Sequence, residues 1–259
     1  MDADRLIISG SETLDEFVHA AAGAPAAAAL FCDVDGTIAP IAPRPADAHV
    51  PAEFCRLLEI LVGRLGLVAF VSGRALDDAR RMVPLDGAVY VGTHGLETLL
   101  PDGDVVVEPQ AERYVAAIHD VAEAAARDLD CEALGVVIED KRTVLAVHYR
   151  LAVDPAATRH EILTRVIEPA RERGLAIGTG HFAFEVRPPL PFTKGTAVRR
   201  LLAGGDYFSA LCCGDDLTDV TAFTAIREWG EHDARRRTCA LAAVTEETPR
   251  PIAAAKRGR

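Results

Sequence analysis

The chain has 259 residues, 49% hydrophobic and 26% charged, which suits a soluble, well-packed protein of one large domain or two modest ones. A formal net charge of −11 argues against nucleic acid and anionic membrane as partners, while a phosphorylated substrate stays open because local cations set the field of a small pocket. No apolar stretch is long enough to span a membrane, and the acidic start Met1-Asp2-Ala3-Asp4 lacks the basic and apolar parts of a signal peptide.

An alanine-rich stretch over 20–29, broken by Gly23 and Pro25, leads into a first apolar run at 27–32. Further runs at 67–71, 88–91, 208–213 and 238–244 have the length and composition of buried parallel strands. Between the first two, Phe54, Leu57, Leu58, Leu61 and Leu65 recur at helical spacing behind Pro51 and predict a helix over 51–65. The middle behaves differently. A helix over 112–129 carries Val115, Ile118, Ala122, Ala125 and Leu129 on one face, and strands follow at 135–138 and 143–149. Asp154-Pro155 caps a second helix that ends near Gly174 and should be kinked or shortened by Pro169. Strands at 175–177 and 182–187 complete an αββαββ module with an antiparallel sheet, flanked by hinge-like Pro101-Asp102-Gly103 and 188–191. Helices over 194–202 and 216–226 alternate with the last strands. Strand–helix alternation predicts a three-layer α/β sheet with its ligand at the carboxyl ends of the strands. Six cysteines (Cys32, Cys55, Cys131, Cys212, Cys213 and Cys239) include four within apolar runs and form no CxxC pair, so reduced thiols and a cytoplasmic location are expected.

Asp33-Val34-Asp35-Gly36-Thr37 stands where the first run ends. Residues two apart on an extended chain point the same way, so Asp33 and Asp35 are offered to one point in space. One carboxylate can attack phosphorus, and the other can protonate the departing oxygen and later activate water. Two acids that close repel, and a divalent cation is the usual remedy. A calcium loop would need Glu at its twelfth position, where the chain has Arg44. Ser72, in Ser72-Gly73-Arg74 after the second run, can hydrogen-bond a phosphoryl oxygen. Lys194 at a helix start opposes the helix dipole, which makes sense if an anion lies in front of it. Gly214-Asp215-Asp216-Leu217-Thr218-Asp219 brings further acids to the same edge. Asp33, the carbonyl of Asp35 and Asp215 would supply magnesium with three protein oxygens.

These four segments together resemble the haloacid dehalogenase superfamily of phosphohydrolases. The resemblance implies an α/β fold: a Rossmann-like parallel sheet core over 1–108 and 189–259, with an inserted α+β cap domain over 109–188. It makes Asp33 the nucleophile, Asp35 the acid/base, Ser72 and Lys194 phosphate binders, and Asp215 with Asp219 the metal-side acids, with Mg2+ as cofactor. Gly92-Thr93-His94-Gly95-Leu96-Glu97, Glu139-Asp140-Lys141, His148-Tyr149-Arg150 and Phe184-Glu185-Val186-Arg187-Pro188 narrow the likeness to trehalose-6-phosphate phosphatases. That likeness implies release of phosphate from trehalose 6-phosphate through an aspartyl-phosphate, by a monomer or weak homodimer without nucleic-acid or membrane partners. Thr37, Ser72, Gly73 and His94 would contact substrate from the core; Glu139, Lys141 and Glu185, with Arg187 and His148 as weaker candidates, would contact the sugar from the cap. Arg74 would either steady its loop or face the substrate, and cap closure would exclude water. The chain departs from the family at Thr93, where Asn is usual, and at Val220, where Glu is usual. It also stops at Lys256-Arg257-Gly258-Arg259, where the family continues to another strand and helix, so either the sheet is one edge strand short or the chain is shortened. Thr93 keeps a second substrate class in view: sucrose 6-phosphate, a glycosyl phosphoglycerate, or another pseudo-disaccharide or natural-product sugar phosphate.

Overall fold

The computed structural model describes residues 6–9, 14–42, 47–180 and 182–243. The chain forms two units, Met1–Val106 with Phe192–Arg259, and Val107–Pro191. In chain order the elements are β1 (Leu6–Ser9), α1 (Leu14–Gly23), β2 (Ala28–Cys32), α2 (Ala52–Val62), β3 (Leu67–Val71), α3 (Leu76–Met82), β4 (Val89–Gly92), β5 (Glu97–Leu99) and β6 (Val105–Val107). Next come α4 (Pro109–Glu112), α5 (Val115–Asp128), α6 (Cys131–Leu134), β7 (Val137–Asp140), β8 (Leu145–His148), α7 (Pro155–Ile162), α8 (Glu168–Glu172), β9 (Ala176–Gly180) and β10 (Ala183–Arg187). The chain returns to the first unit with α9 (Lys194–Ala203), β11 (Ser209–Gly214), α10 (Asp219–Glu231) and β12 (Arg237–Ala243).

The first unit is a three-layer sandwich around a sheet ordered β1-β12-β11-β2-β3-β4-β5-β6. Its central five strands, β12 to β4, are parallel. Every residue of β2 is buried, as a strand covered on both faces requires. Leu30, Cys32, Val68, Phe70 and Tyr90 face a core shared with Phe17 of α1, Leu58 of α2 and Ala79 of α3. The alternate residues Phe31, Ala69, Val71 and Val91 pack on Val198 and Leu202 of α9 and Ile226 of α10. β1 lies antiparallel on the outer edge of β12, so an N-terminal strand forms that edge of the described sheet. Val244, the last residue of the strand expected over 238–244, and the C-terminal stop fall outside the described residues.

The second unit has four antiparallel strands in the order β7-β8-β10-β9. One face, with Leu145, Val147, Phe184 and Val186, is buried against Ile118 and Ala125 of α5 and against Ile162, Val166 and Ile167. The helix expected over 112–129 divides, because Pro109 at a first-turn position nucleates a separate short turn, α4. Pro169 does not break its helix. It lacks an N–H and crowds the preceding turn, and the chain accommodates it with a π-helical turn, Leu163–Ile167, between α7 and α8. No helix among the described residues is long and apolar enough to cross a membrane.

Candidate active site

Three parallel strands and two helix starts deliver the site. Cys213 of β11 pairs with Cys32 of β2, and Cys32 pairs with Phe70 of β3, so Asp215, Asp33 and Ser72 all leave the sheet at one edge. The Asp33 N–H still donates to Cys213 O at 2.9 Å, which fixes its position as the strand ends. Gly36 then turns the chain with φ 80°. A Cβ on it would stand 2.1 Å from Asp215 Oδ2, so only glycine lets the loops after β2 and β11 lie this close. Thr193 caps α9 reciprocally with Thr196 and sets Lys194 as the first helical residue. A Cβ on Gly195 would meet Thr221 O at 2.2 Å, so glycine also allows the first turns of α9 and α10 to touch.

These approaches bring Asp33, Thr37, Lys194, Asp215 and Asp219 together, all buried. Lys194 Nζ donates to Asp33 Oδ1 at 2.7 Å and to Asp219 Oδ1 at 2.8 Å. The Thr37 hydroxyl lies 3.1 Å from Asp33 Oδ2 and 3.4 Å from Asp215 Oδ1, within donating distance of either. Asp219 Oδ2 accepts the backbone N–H groups of Asp215 and Asp216 at 3.0 and 3.1 Å. Both Asp219 oxygens are thus engaged, one orienting the lysine and one shaping the loop that carries Asp215. Asp216 Oδ1 accepts the backbone N–H groups of Thr218 and Asp219 at 2.8 and 3.2 Å and closes the turn that leads into α10.

The cluster holds more acid than base. Burial pushes the Asp33 carboxyl up to about 7, against the pull of Lys194 and with a further push from Asp215 and Asp35. Asp215 and Asp219 are likewise pushed up to about 7, by burial first and then by neighbouring carboxylates. Lys194 is held well above its ordinary value; burial alone would lower it, but the charges of Asp33, Asp219 and Asp216 outweigh that. Oxygen atoms of Asp33, Asp215 and Asp219 lie within 4.8 Å of one another. A set of hard carboxylate oxygens with one ammonium among them fits a small divalent cation, which would offset the excess negative charge.

The Asp35 side chain is directed elsewhere. Arg74 grips it through Nε to Oδ2 at 2.6 Å and Nη2 to Oδ1 at 2.7 Å. Arg74 follows β3 in a tight turn, where its own N–H donates to Ser72 Oγ at 3.2 Å and Thr93 N–H donates to its carbonyl at 2.9 Å. Ser72 O accepts from His94 N at 3.1 Å, and a Cβ on Gly73 would stand 2.6 Å from the His94 ring. Ser72, Gly73, Arg74 and His94 are therefore one packed corner. Thr93 and His94 both have left-handed backbones, with φ 47° and 58°. The grip of Arg74 on Asp35 is the relationship least visible in the sequence, where the one signal is an arginine three residues past the strand beside β2.

The remaining expected residues lie in the second unit, on the sheet face opposite its core. Glu139, Ala146, Glu185 and Gly178 form one row across the four strands, and Val137, His148, Ala183 and Gly180 the next. Arg187, opposite Ala176, shares that face. Glu139 Oε2 lies 3.3 Å from His148 Nε2 and 3.5 Å from Lys141 Nζ. Burial pushes the Glu139 carboxyl up, but the His148 hydrogen bond and the charges of Lys141 and His148 outweigh it and hold it at about 2. Charged side chains on this face thus alternate across the strands with Ala146, Gly178, Ala183 and Gly180.

The trehalose-phosphatase family model matches residues 31–250. A Mycobacterium tuberculosis protein described as an uncharacterized glycosyl hydrolase is 36% identical over 225 residues, 80% of this chain and 16% of that protein. The trehalose-phosphate phosphatase of Mycobacterium marinum is 35% identical over 240 residues, 87% of this chain and 59% of the enzyme. The chain thus spans about half the length of the curated phosphatases it matches. Among solved structures, a trehalose-6-phosphate phosphatase related protein superposes with a TM-score of 0.68 at 27% identity, over 77% of this chain and 83% of that one. With a family match across most of its length and relatives more than 30% identical, this chain belongs to the trehalose-phosphatase family.

Proposed function

We propose that this chain is a magnesium-dependent phosphomonoesterase that releases phosphate from trehalose 6-phosphate through an aspartyl-phosphate on Asp33. The observation that carries the reading is the buried contact of Lys194 with Asp33, beside Asp215 and Asp219. Lys194 and the Thr37 hydroxyl orient the Asp33 carboxylate, so that one oxygen can attack phosphorus in line with the leaving sugar. As the new P–O bond to Asp33 forms, the ester bond breaks and its electron pair goes to the sugar oxygen, which takes a proton from Asp35. A water then gives a proton to Asp35, its oxygen bonds to phosphorus, and the Asp33–phosphorus bond breaks. Asp33 and Asp215, with Asp219 behind them, would hold magnesium, which neutralises phosphoryl charge when bound. Ser72 and Lys194 serve the phosphoryl group, and Gly73 and His94 shape the corner beside it.

In the second unit Glu139, Lys141, Glu185 and Arg187, with His148, are the proposed sugar contacts. Charged groups alternating with Ala and Gly suit the paired hydroxyls of a disaccharide. The test is phosphate release from trehalose 6-phosphate, sucrose 6-phosphate and glucose 6-phosphate, with and without magnesium. Magnesium-dependent release with preference for the trehalose ester is expected. Equal rates on all three would overturn the substrate, and undiminished release in EDTA would overturn the metal.

A further inference from the structure

We propose that Arg74 is a positioning residue for Asp35, acting on protonation of the departing sugar oxygen rather than on the phosphoryl group. The inference rests on the phosphatase reading above and extends it to a residue outside the acid cluster.

Asp35 sits in a loop that has just left β2, next to a glycine with φ 80°, and its side chain is about a third exposed, at 34%. Such a side chain has rotamers to choose from, and an acid must lie within hydrogen-bond reach of the atom it protonates. The planar guanidinium fork engages both carboxylate oxygens at once, at 2.6 and 2.7 Å, and so fixes the plane of the carboxyl as well as its place. Each oxygen keeps a second lone pair for the proton that is relayed. Arg74 is itself well anchored: its side chain is 10% exposed, and its backbone is tied to Ser72 and Thr93 on both sides. The reach from β3 to the loop after β2 therefore transfers the rigidity of a packed corner to the one catalytic carboxylate outside the buried cluster.

Chemistry separates this role from phosphate binding. A p-nitrophenolate leaving group departs without a proton, whereas a sugar alkoxide does not. The probes are p-nitrophenyl phosphate and two alkyl esters, trehalose 6-phosphate and glucose 6-phosphate. Release of the alcohol is read in the first turnover, before hydrolysis of the phosphoenzyme contributes. In Arg74→Ala the ratio of aryl to alkyl rates should rise about 100-fold, the usual worth of a placed general acid. Asp35→Asn should raise it similarly, and Arg74→Ala with Asp35→Asn should be no worse than Asp35→Asn alone. Equal loss on both ester types, a loss confined to KM, or additive losses in the double variant would overturn the proposal. Should Arg74→Ala fail to fold, Arg74→Lys, which keeps the charge but loses the fork, carries the same comparison. A wild type active on the other two esters and silent on trehalose 6-phosphate sinks the substrate reading and leaves the Arg74 comparison intact. A wild type inert on all three overturns both.

Discussion

Lys194 Nζ lies 2.7 Å from Asp33 Oδ1, with both side chains buried. The same ammonium lies 2.8 Å from Asp219, so the helix start of α9 is tied to the ends of β2 and the start of α10 through one cation. Removing one partner of such a group strands the others without compensation. Lys194→Met, of similar volume but uncharged, should cost about 3–5 kcal/mol of stability, as other broken buried pairs do. Urea unfolding measures it, and a variant as stable as the wild type would contradict the central role given to this contact.

Asp33→Asn should act in the opposite direction on stability. Three buried carboxylates face one ammonium, and the neutral isostere removes one of the repelling charges. In EDTA we expect a gain of about 1 kcal/mol, of the kind found when a functional site is relieved of its strain. Turnover should vanish, because an amide oxygen cannot form the acyl phosphate. Normal phosphate release by this variant would refute the mechanism.

Magnesium should stabilise the protein by binding the folded form alone. At 100 times its dissociation constant the increment is about 2.7 kcal/mol. The shift in Tm should be present in the wild type and strongly reduced in Asp215→Asn, since Asp215 is a member of the acid cluster that is not bonded to Lys194. Equal shifts in both would place the cation elsewhere.

Thr93 has a φ of 47° although it is β-branched, a conformation that strains such a side chain and suits asparagine. Thr93→Asn should raise stability by about 1 kcal/mol. A fall in Tm would show that the buried hydroxyl contributes more than the backbone strain costs.

Glu139 sets a pH dependence in the second unit. Its carboxyl is held at about 2 in the folded protein, below its ordinary value of 4.5. A depressed acid stabilises the fold fully above the unfolded value and loses that contribution as pH falls from about 4.5 toward 2. The ceiling is about 3 kcal/mol, from about 1.4 kcal/mol per unit. Glu139→Gln should therefore flatten the stability of the protein between pH 5 and pH 2 (about the range set by those two values) while lowering it at pH 7. An unchanged slope would mean that His148 and Lys141 do not hold this carboxyl.

Much of this protein is determined by the sequence alone. A strand buried on both faces must be continuously apolar, so the run at 67–71 coincides with β3, Leu67–Val71, and the others fall within a residue or two. The acids are legible for a related reason, since each motif lies directly beyond such a run. Three-residue strands such as β5 and β6 are not legible, because a period of two over three residues carries no signal. Tertiary structure decided what spacing cannot encode. Strand register put Glu139 and Glu185 in one row, though they are far apart in the chain. Close approach of two loops, permitted by the missing side chain of Gly36, set Asp215 beside Asp33. Packing of β3 against β2 gave Asp35 to Arg74, so two carboxylates that local geometry aims at one point were turned to different partners. Local periodicity acts within an element, whereas these contacts arise only when separate elements are paired.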